Sequence, residues 1–223
     1  MEKNRLKAVI FDLDGVITDS AHFHFQAWKA LADELNIPFD EQYNEKLKGV
    51  SRMESLELIL QNSKEKVAYT LEEKEKLATK KNEYYKKLIE QITPNDTLDG
   101  ILPFLKQLKE NNIKIALASV SKNAPYILEK LQLTSYFEYI ADPEKVEKAK
   151  PYPDIFLAGV EFFGVKQEEC IGIEDAKAGI EAIHRAGMKA VGVGTRDQME
   201  EADLIISTSE LSLEVIKEKF AFE

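Results

Sequence analysis

The spacing of hydrophobic residues changes along the chain and divides it into three segments. The first contains KAVIF (7–11), which is short and continuously apolar and therefore predicts a strand buried on both faces. In the second, from residue 21 to about 92, apolar residues recur at helical spacing, beginning with AHFHFQAWKALADELN. In the third, short apolar stretches alternate with helical patterns, which is typical of a parallel sheet with crossover helices.

Two capping-box patterns mark helix starts in the second segment. Ser51 followed by Glu54 precedes SLELIL, and Thr70 followed by Glu73 precedes the charged stretch LEEKEKLATKKNEYYKKLIEQI. Because this segment contains no convincing strand pattern, we expect it to form a small helical bundle.

The residue pattern of the third segment predicts five more strands, which are separated by helices. We place these strands at residues 113–119, 137–142, 170–175, 189–194 and 204–208. The first strand can join them only if the helical region is an insertion. The predicted fold is therefore α/β, with a doubly wound, mostly parallel, Rossmann-like sheet in a discontinuous core domain (1–18 and 93–223) and an inserted α-helical cap domain (19–92).

Composition and charge exclude several classes of protein. The formal net charge of −10 and the pI of about 5.0 argue against a general nucleic-acid or anionic-membrane binder. No apolar run is long enough to span a bilayer, and the first residues show no signal-peptide pattern. The single cysteine, Cys170, excludes an intramolecular disulfide, and we expect it to be a packed core thiol in a monomeric cytoplasmic protein.

Polar side chains gather where the predicted strands end. Each of them alone is adequately explained as a helix cap or a turn residue. Their number at one edge of the sheet favours a shared ligand site, because ligands of open α/β sheets bind outside the carboxyl ends of the strands. The residues concerned are Asp12, Asp14, Ser119, Ser121, Lys122, Asn123, Asp142, Lys150, Glu174 and Asp175.

Carboxylates crowded at one sheet edge require a cation. Oxygen ligands suit Mg²⁺, whereas the three histidines and one cysteine are too scattered to suggest zinc. A hard cation beside a lysine and hydroxyl groups makes a phosphate site, and a carboxylate there can attack phosphorus. Lys150, Ser119 and the backbone N–H groups after Ser119 are suited to hold the phosphate oxygens.

These motifs also support a family resemblance over essentially the whole chain. The order FDLDG, helical insert, ASVSKN, AKPYPD and GIEDAKAG resembles the haloacid dehalogenase superfamily. Within it, HFQAWKALA and LKGVSR are similar to the β-phosphoglucomutase family. That resemblance implies interconversion of β-D-glucose 1-phosphate and glucose 6-phosphate, with Mg²⁺ as cofactor and β-D-glucose 1,6-bisphosphate as phosphoryl primer and intermediate.

The resemblance also implies a role for each matching residue. Asp12 becomes the nucleophile and Asp14 the general acid and base. Ser119 and Lys150 bind the transferring phosphate. Mg²⁺ is held by Asp12, the main-chain carbonyl of Asp14, Glu174 and Asp175.

The remaining implied residues bind or surround the sugar. Arg52 with Ser121, Lys122 and Asn123 holds the second phosphate, and His24 and Lys81 help to place Asp14. The sugar pocket is lined or bordered by Trp28, Gly49, Val50, Ser51 and Val120. Val120 and Ala176 depart from the family motifs beside the site, and so bear on fine specificity.

Three functions are compatible with this chemistry. A mutase has to hold two phosphates at once, and LKGVSR together with SKN supplies a second cationic site, so we favour a mutase. The alternative is a sugar-phosphate phosphatase of the same superfamily, in which water accepts the phosphoryl group. A more remote alternative is a phosphate-accepting signalling domain, although such domains are shorter and lack the helical insertion.

Overall fold

A parallel sheet forms the centre of the protein. The computed structural model describes residues 5–65, 67–194 and 199–223. The strands are β1 (Ala8–Phe11), β2 (Lys114–Leu117), β3 (Tyr139–Ile140), β4 (Cys170–Glu174), β5 (Lys189–Val193) and β6 (Leu204–Ile206). They pair in parallel in the order β3-β2-β1-β4-β5-β6. This order confirms the doubly wound fold and places β1 and β4 on either side of the point where the winding reverses.

Helices cover both faces of the sheet and also form the inserted segment. Those of the described residues are α1 (Ala21–Glu34), α2 (Glu41–Asn44), α3 (Arg52–Gln61), α4 (Leu71–Ile89), α5 (Ile101–Glu110), α6 (Ala124–Lys130), α7 (Asp154–Phe163), α8 (Lys177–Arg185) and α9 (Leu213–Phe220). Helices α5, α6 and α9 pack on one face, and α7 and α8 on the other.

The burial of β1 on both faces explains why its sequence is continuously apolar. Val9 and Phe11 belong to the hydrophobic cluster on one face, whereas Ala8 and Ile10 belong to the cluster on the opposite face. Side chains alternate along a strand, so burial on both faces requires an apolar residue at every position.

The inserted helices, which we call the cap (α1–α4), have a hydrophobic cluster of their own. Trp28, Leu31, Leu56 and Ile59 are among its buried residues. Both predicted capping boxes are present, at the starts of α3 and α4, and no strand forms in the described part of residues 21–92. The separate cluster supports our proposal that the cap is a domain.

The domain boundaries themselves stay predictions. From α4, Tyr85 and Ile89 reach into the cluster on the sheet, so the cap is also anchored to the core. Residues 1–4 and 195–198 of the predicted core, and residue 66 of the predicted cap, lie outside the described residues.

The structure differs from the sequence-based elements at two places. The strand predicted at 137–142 is reduced to β3, because it is an edge strand that pairs only with β2 and is half-buried. Helix α2 and the 3-10 turn that follows it, Glu45–Leu47, were not predicted from the short polar stretch before LKGVSR. In the described part of the chain, no helix has both the length and the apolar character needed to cross a membrane.

Candidate active site

The loops after β1 and β4 bring three carboxylates together. Asp12 follows β1 directly and is 6% exposed, and its N–H donates to the carbonyl of Ile173 on β4 at 2.9 Å. Gly15, at φ +77°, lets the loop turn. A Cβ at that position would lie 2.2 Å from Oδ2 of Asp175, so only glycine allows this carboxylate to approach the loop.

This carboxylate cluster fits a hard cation. One oxygen each of Asp12, Glu174 and Asp175 lies within 4.8 Å of the other two. Burial and the charge of Glu174 raise the pKa of Asp12 to about 7, and the same causes raise the pKa of Asp175 well above its ordinary value. Both shifts disfavour the charged carboxylates, and a bound Mg²⁺ would counter them. Asp14 is not part of this side-chain cluster, so its carbonyl ligand stays a prediction.

Lys150 supplies positive charge to the carboxylate cluster. Its fully buried Nζ donates to Oδ1 of Asp12 at 2.6 Å and to Oε2 of Glu174 at 2.7 Å. Burial alone lowers the pKa of a lysine, but the two carboxylates outweigh it and hold the pKa of Lys150 above its ordinary value. An ammonium group has three donors, so one remains for a phosphate oxygen.

The position of Glu174 depends on the start of α8. Its Oε1 accepts hydrogen bonds from the N–H groups of Asp175 and Ala176, each at 3.1 Å. Gly179 leaves the space for this side chain, because a Cβ there would lie 2.0 Å from Cδ of Glu174. Sequence reasoning did not identify Gly179, although it stands in the quoted motif GIEDAKAG.

Asp14 lies between the core and the cap. The hydroxyl of Ser20 donates to Oδ1 of Asp14, and Nε2 of His24 lies 3.8 Å from Oδ2. Burial and the charge of Asp12 raise the pKa of Asp14 to about 6, so the group is suited to accept and donate protons near neutrality. The contribution of Ser20 was not predicted.

The cap residues that reach Asp14 support one another. Nζ of Lys81 lies 2.9 Å from Nδ1 of His24 and 4.6 Å from the centre of the Trp28 ring. Burial and the charge of Arg52 lower the pKa of Lys81 to about 7. Burial, Lys81 and Arg52 together hold the pKa of His24 well below its ordinary value, so this imidazole is neutral.

The loop after β2 forms consecutive hydroxyl turns. Oγ of Ser119 accepts from the N–H of Ser121 at 3.1 Å, and Oγ of Ser121 accepts from the N–H of Asn123 at 3.3 Å. The side chain of Asn123 donates to Oδ1 of Asn82 on α4 at 3.0 Å and so connects this loop to the cap.

A cavity between core and cap unites most of the predicted residues. It encloses about 810 Å³ of space, part of it open to solvent, which suits a phosphorylated sugar. The predicted residues that line it are Asp12, Asp14, His24, Trp28, Gly49, Val50, Arg52, Lys81, Val120, Ser121 and Asp175. Residues that line it without having been predicted are Ala21, Asn44, Leu47, Lys48, Ser55 and Asn82.

Several predicted residues do not line the cavity. The Ser51 side chain caps α3 through Glu54 and lines a neighbouring depression. Lys122 pairs with Glu144 at 2.5 Å on the surface. Of the residues missed, Lys48 lies in the quoted LKGVSR and Asn82 follows Lys81 directly, so closeness to a motif was the available signal.

Comparison with known proteins is consistent with this geometry. A model of the haloacid dehalogenase-like hydrolase family matches residues 6–187. The chain is 52% identical over 216 residues, 96% of each protein, to a β-phosphoglucomutase of Bacillus subtilis (strain 168). A crystal structure of β-phosphoglucomutase from Clostridium difficile has a TM-score of 0.94 at 48% identity, with 97% of each chain covered. A phosphorylated carbohydrates phosphatase of Thermotoga maritima is 29% identical over 191 residues, 83% of this chain and 84% of that protein.

Proposed function

Since the chain belongs to the haloacid dehalogenase-like hydrolase family, we propose that it is a β-phosphoglucomutase, which interconverts β-D-glucose 1-phosphate and glucose 6-phosphate. The likeness to two proteins named β-phosphoglucomutase, at 52% and 48% identity over nearly the whole chain, favours this function over the phosphatase alternative. Both of these relatives are named as enzymes, so the comparison gives no support to the signalling alternative.

The reaction follows from the roles of the two aspartates. The carboxylate of Asp12 attacks phosphorus and forms an aspartyl phosphate, while Asp14 donates a proton to the departing sugar oxygen. In the opposite direction Asp14 accepts the proton of the attacking sugar hydroxyl, and the bond between Asp12 and phosphorus breaks. Transfer to the 6-hydroxyl of glucose 1-phosphate gives β-D-glucose 1,6-bisphosphate, and return of its other phosphate to Asp12 releases glucose 6-phosphate.

The residues around the transferring phosphate carry defined tasks. Lys150 and Ser119 hold its oxygens, and Lys150 also orients Asp12 by its 2.6 Å hydrogen bond. Asp12, Glu174 and Asp175, with the carbonyl of Asp14, hold Mg²⁺. The bound ion supplies the positive charge that offsets repulsion between the attacking carboxylate and the phosphate.

One observation supports transfer to a sugar hydroxyl in particular: Arg52 of the cap lines the same cavity as Asp12 and Asp14 of the core. Burial lowers the pKa of the Arg52 guanidinium although the charges of Glu144 and Glu83 oppose this, so a bound anion would further stabilise its charged form. A substrate with two phosphates can therefore be held at both ends, with Ser121, Lys122 and Asn123 beside the second phosphate.

A single assay tests this proposal. The protein is given β-D-glucose 1-phosphate, Mg²⁺ and a trace of the bisphosphate, and both glucose 6-phosphate and inorganic phosphate are measured. Glucose 6-phosphate should dominate. Release of mainly inorganic phosphate would show a phosphatase instead.

We further propose that the enzyme is a cytoplasmic monomer whose partners are small sugar phosphates rather than nucleic acid or membranes. The net charge of −10 argues against nucleic acid and anionic membranes as partners, and the lone, buried Cys170 fits a reducing compartment.

A further inference from the structure

One buried hydroxyl next to the site has no part in the mechanism above. Tyr85 of α4 is fully buried, and among the described residues its hydroxyl is the one buried side-chain polar atom without a hydrogen-bond partner. An unpaired buried hydroxyl destabilises the folded protein, so its presence calls for an explanation.

The ring of Tyr85 supports the cap residues that reach Asp14. It stacks on the imidazole of His24 with 4.0 Å between ring centres, and Nζ of Lys81 lies 4.7 Å from its centre. A phenylalanine would make both contacts equally well. The ring therefore explains an aromatic residue here, but it does not explain the hydroxyl.

Groups that belong to the site act on the Tyr85 hydroxyl. Burial and the charge of Asp14 hold the pKa of Tyr85 well above its ordinary value, and the hydroxyls of Ser20 and Ser121 oppose this rise. The phenol is thus a proton donor close to both serines, although neither meets hydrogen-bond geometry with it. Ser20 uses its one O–H in the hydrogen bond to Asp14, so the lone pairs of its Oγ remain available to accept a hydrogen bond.

We propose that Tyr85 is a positioning residue: when a sugar phosphate closes the site, its hydroxyl donates to Ser20 and so fixes the serine hydroxyl that orients Asp14. This inference rests on the proposed role of Asp14 as general acid and base. The hydrogen bond forms with substrate bound, which explains why the hydroxyl is unpaired without it. The chain Tyr85–Ser20–Asp14 then connects a cap helix to the proton-transferring carboxylate.

The test uses Tyr85→Phe, which removes the hydroxyl and keeps the ring. Asp14 matters most when the leaving oxygen needs a proton, so kcat/KM is compared for β-D-glucose 1,6-bisphosphate, whose leaving group is a sugar hydroxyl, and acetyl phosphate, whose leaving group is acetate and needs no proton. We expect the ratio of the two to fall roughly two- to tenfold, as the loss of one neutral hydrogen bond predicts. The melting temperature should stay the same or rise, because an unpaired buried hydroxyl is lost.

A matched control is Tyr84→Phe, which removes a hydroxyl from the neighbouring, 46% exposed residue of the same helix and should change neither quantity. In a Ser20→Ala background, Tyr85→Phe should have no further effect on the ratio. An unchanged ratio, or an equal loss on both substrates with a lower melting temperature, would overturn the proposal. If the wild-type protein releases only phosphate from the sugar, the mutase function fails, yet the leaving-group ratio still decides the role of Tyr85.

Discussion

Nζ of Lys150 lies 2.6 Å from Oδ1 of Asp12, a contact between residues 138 positions apart in the sequence. The lysine side chain is fully buried and the aspartate nearly so, and Glu174 shares the same ammonium group. This contact therefore holds the predicted nucleophile in place and partly neutralises the cluster in which it lies.

We expect Lys150→Ala to abolish phosphoryl transfer and to destabilise the protein. Its removal leaves Asp12 and Glu174 buried without their cation, and breaking a buried ion pair from one side costs about 3–5 kcal/mol. Urea unfolding measures this change, and added Mg²⁺ should restore part of the lost free energy of unfolding.

The control for this prediction is Lys76→Ala, which removes an exposed lysine paired with Glu72. Such surface pairs contribute about 0–1 kcal/mol. A Lys150→Ala protein as stable as this control would contradict the prediction.

Arg52→Ala should separate two activities of the same active site. Because Arg52 lines the cavity from the cap, we expect its loss to lower kcat/KM for turnover of the bisphosphate by about 10- to 100-fold, the range for a lost charge-assisted hydrogen bond or pair of bonds. Hydrolysis of acetyl phosphate, which has no second phosphate, should change little. Steady-state kinetics on both substrates measures this.

The conservative variant Arg52→Lys keeps the charge but loses the bidentate geometry. Its kcat/KM for the bisphosphate should fall between those of the wild type and Arg52→Ala. An equal loss of both activities in Arg52→Ala would show that Arg52 does not bind the second phosphate.

The sequence indicated where the site lies more clearly than how its residues pair. Asp12 and Glu174 were placed together because each follows or ends a strand with a continuous apolar pattern, and parallel strands end at one edge. The hydrogen bond of Lys150 to both could not be predicted, since it depends on how a loop far along the chain folds back. Ser20 and Tyr85 were missed for a related reason, because periodicity identifies a buried residue without showing what it contacts.

Gly179→Ala should impair metal binding as well as stability. The added Cβ would lie 2.0 Å from Cδ of Glu174, so this carboxylate has to shift from the position in which it is grouped with Asp12 and Asp175. We expect weaker Mg²⁺ binding by calorimetry and a higher Mg²⁺ concentration for half-maximal activity, with about 1–3 kcal/mol lost from the free energy of unfolding.

Gly164→Ala is the appropriate comparison, because a Cβ there meets no atom within 4 Å but the backbone has φ +62°. It should destabilise the protein through backbone strain and leave Mg²⁺ affinity unchanged. Equal Mg²⁺ affinity in the two variants would contradict the proposed part of Gly179 in placing Glu174.

Cys170 should be inert towards thiol reagents as long as the protein is folded. It is fully buried at the start of β4, its Sγ donates to the carbonyl of Lys166 at 3.3 Å, and burial raises its pKa to about 12. Because the thiolate is the reactive form and an acid with a raised pKa stays protonated, native labelling between pH 7 and 9 should be negligible and should not accelerate as it does for a free thiol with a pKa of about 8.5. Mass spectrometry after iodoacetamide treatment should show one label in urea and none in buffer. Stoichiometric labelling of the native protein at pH 8, with activity retained, would show that the thiol is accessible and that its packing differs from that described.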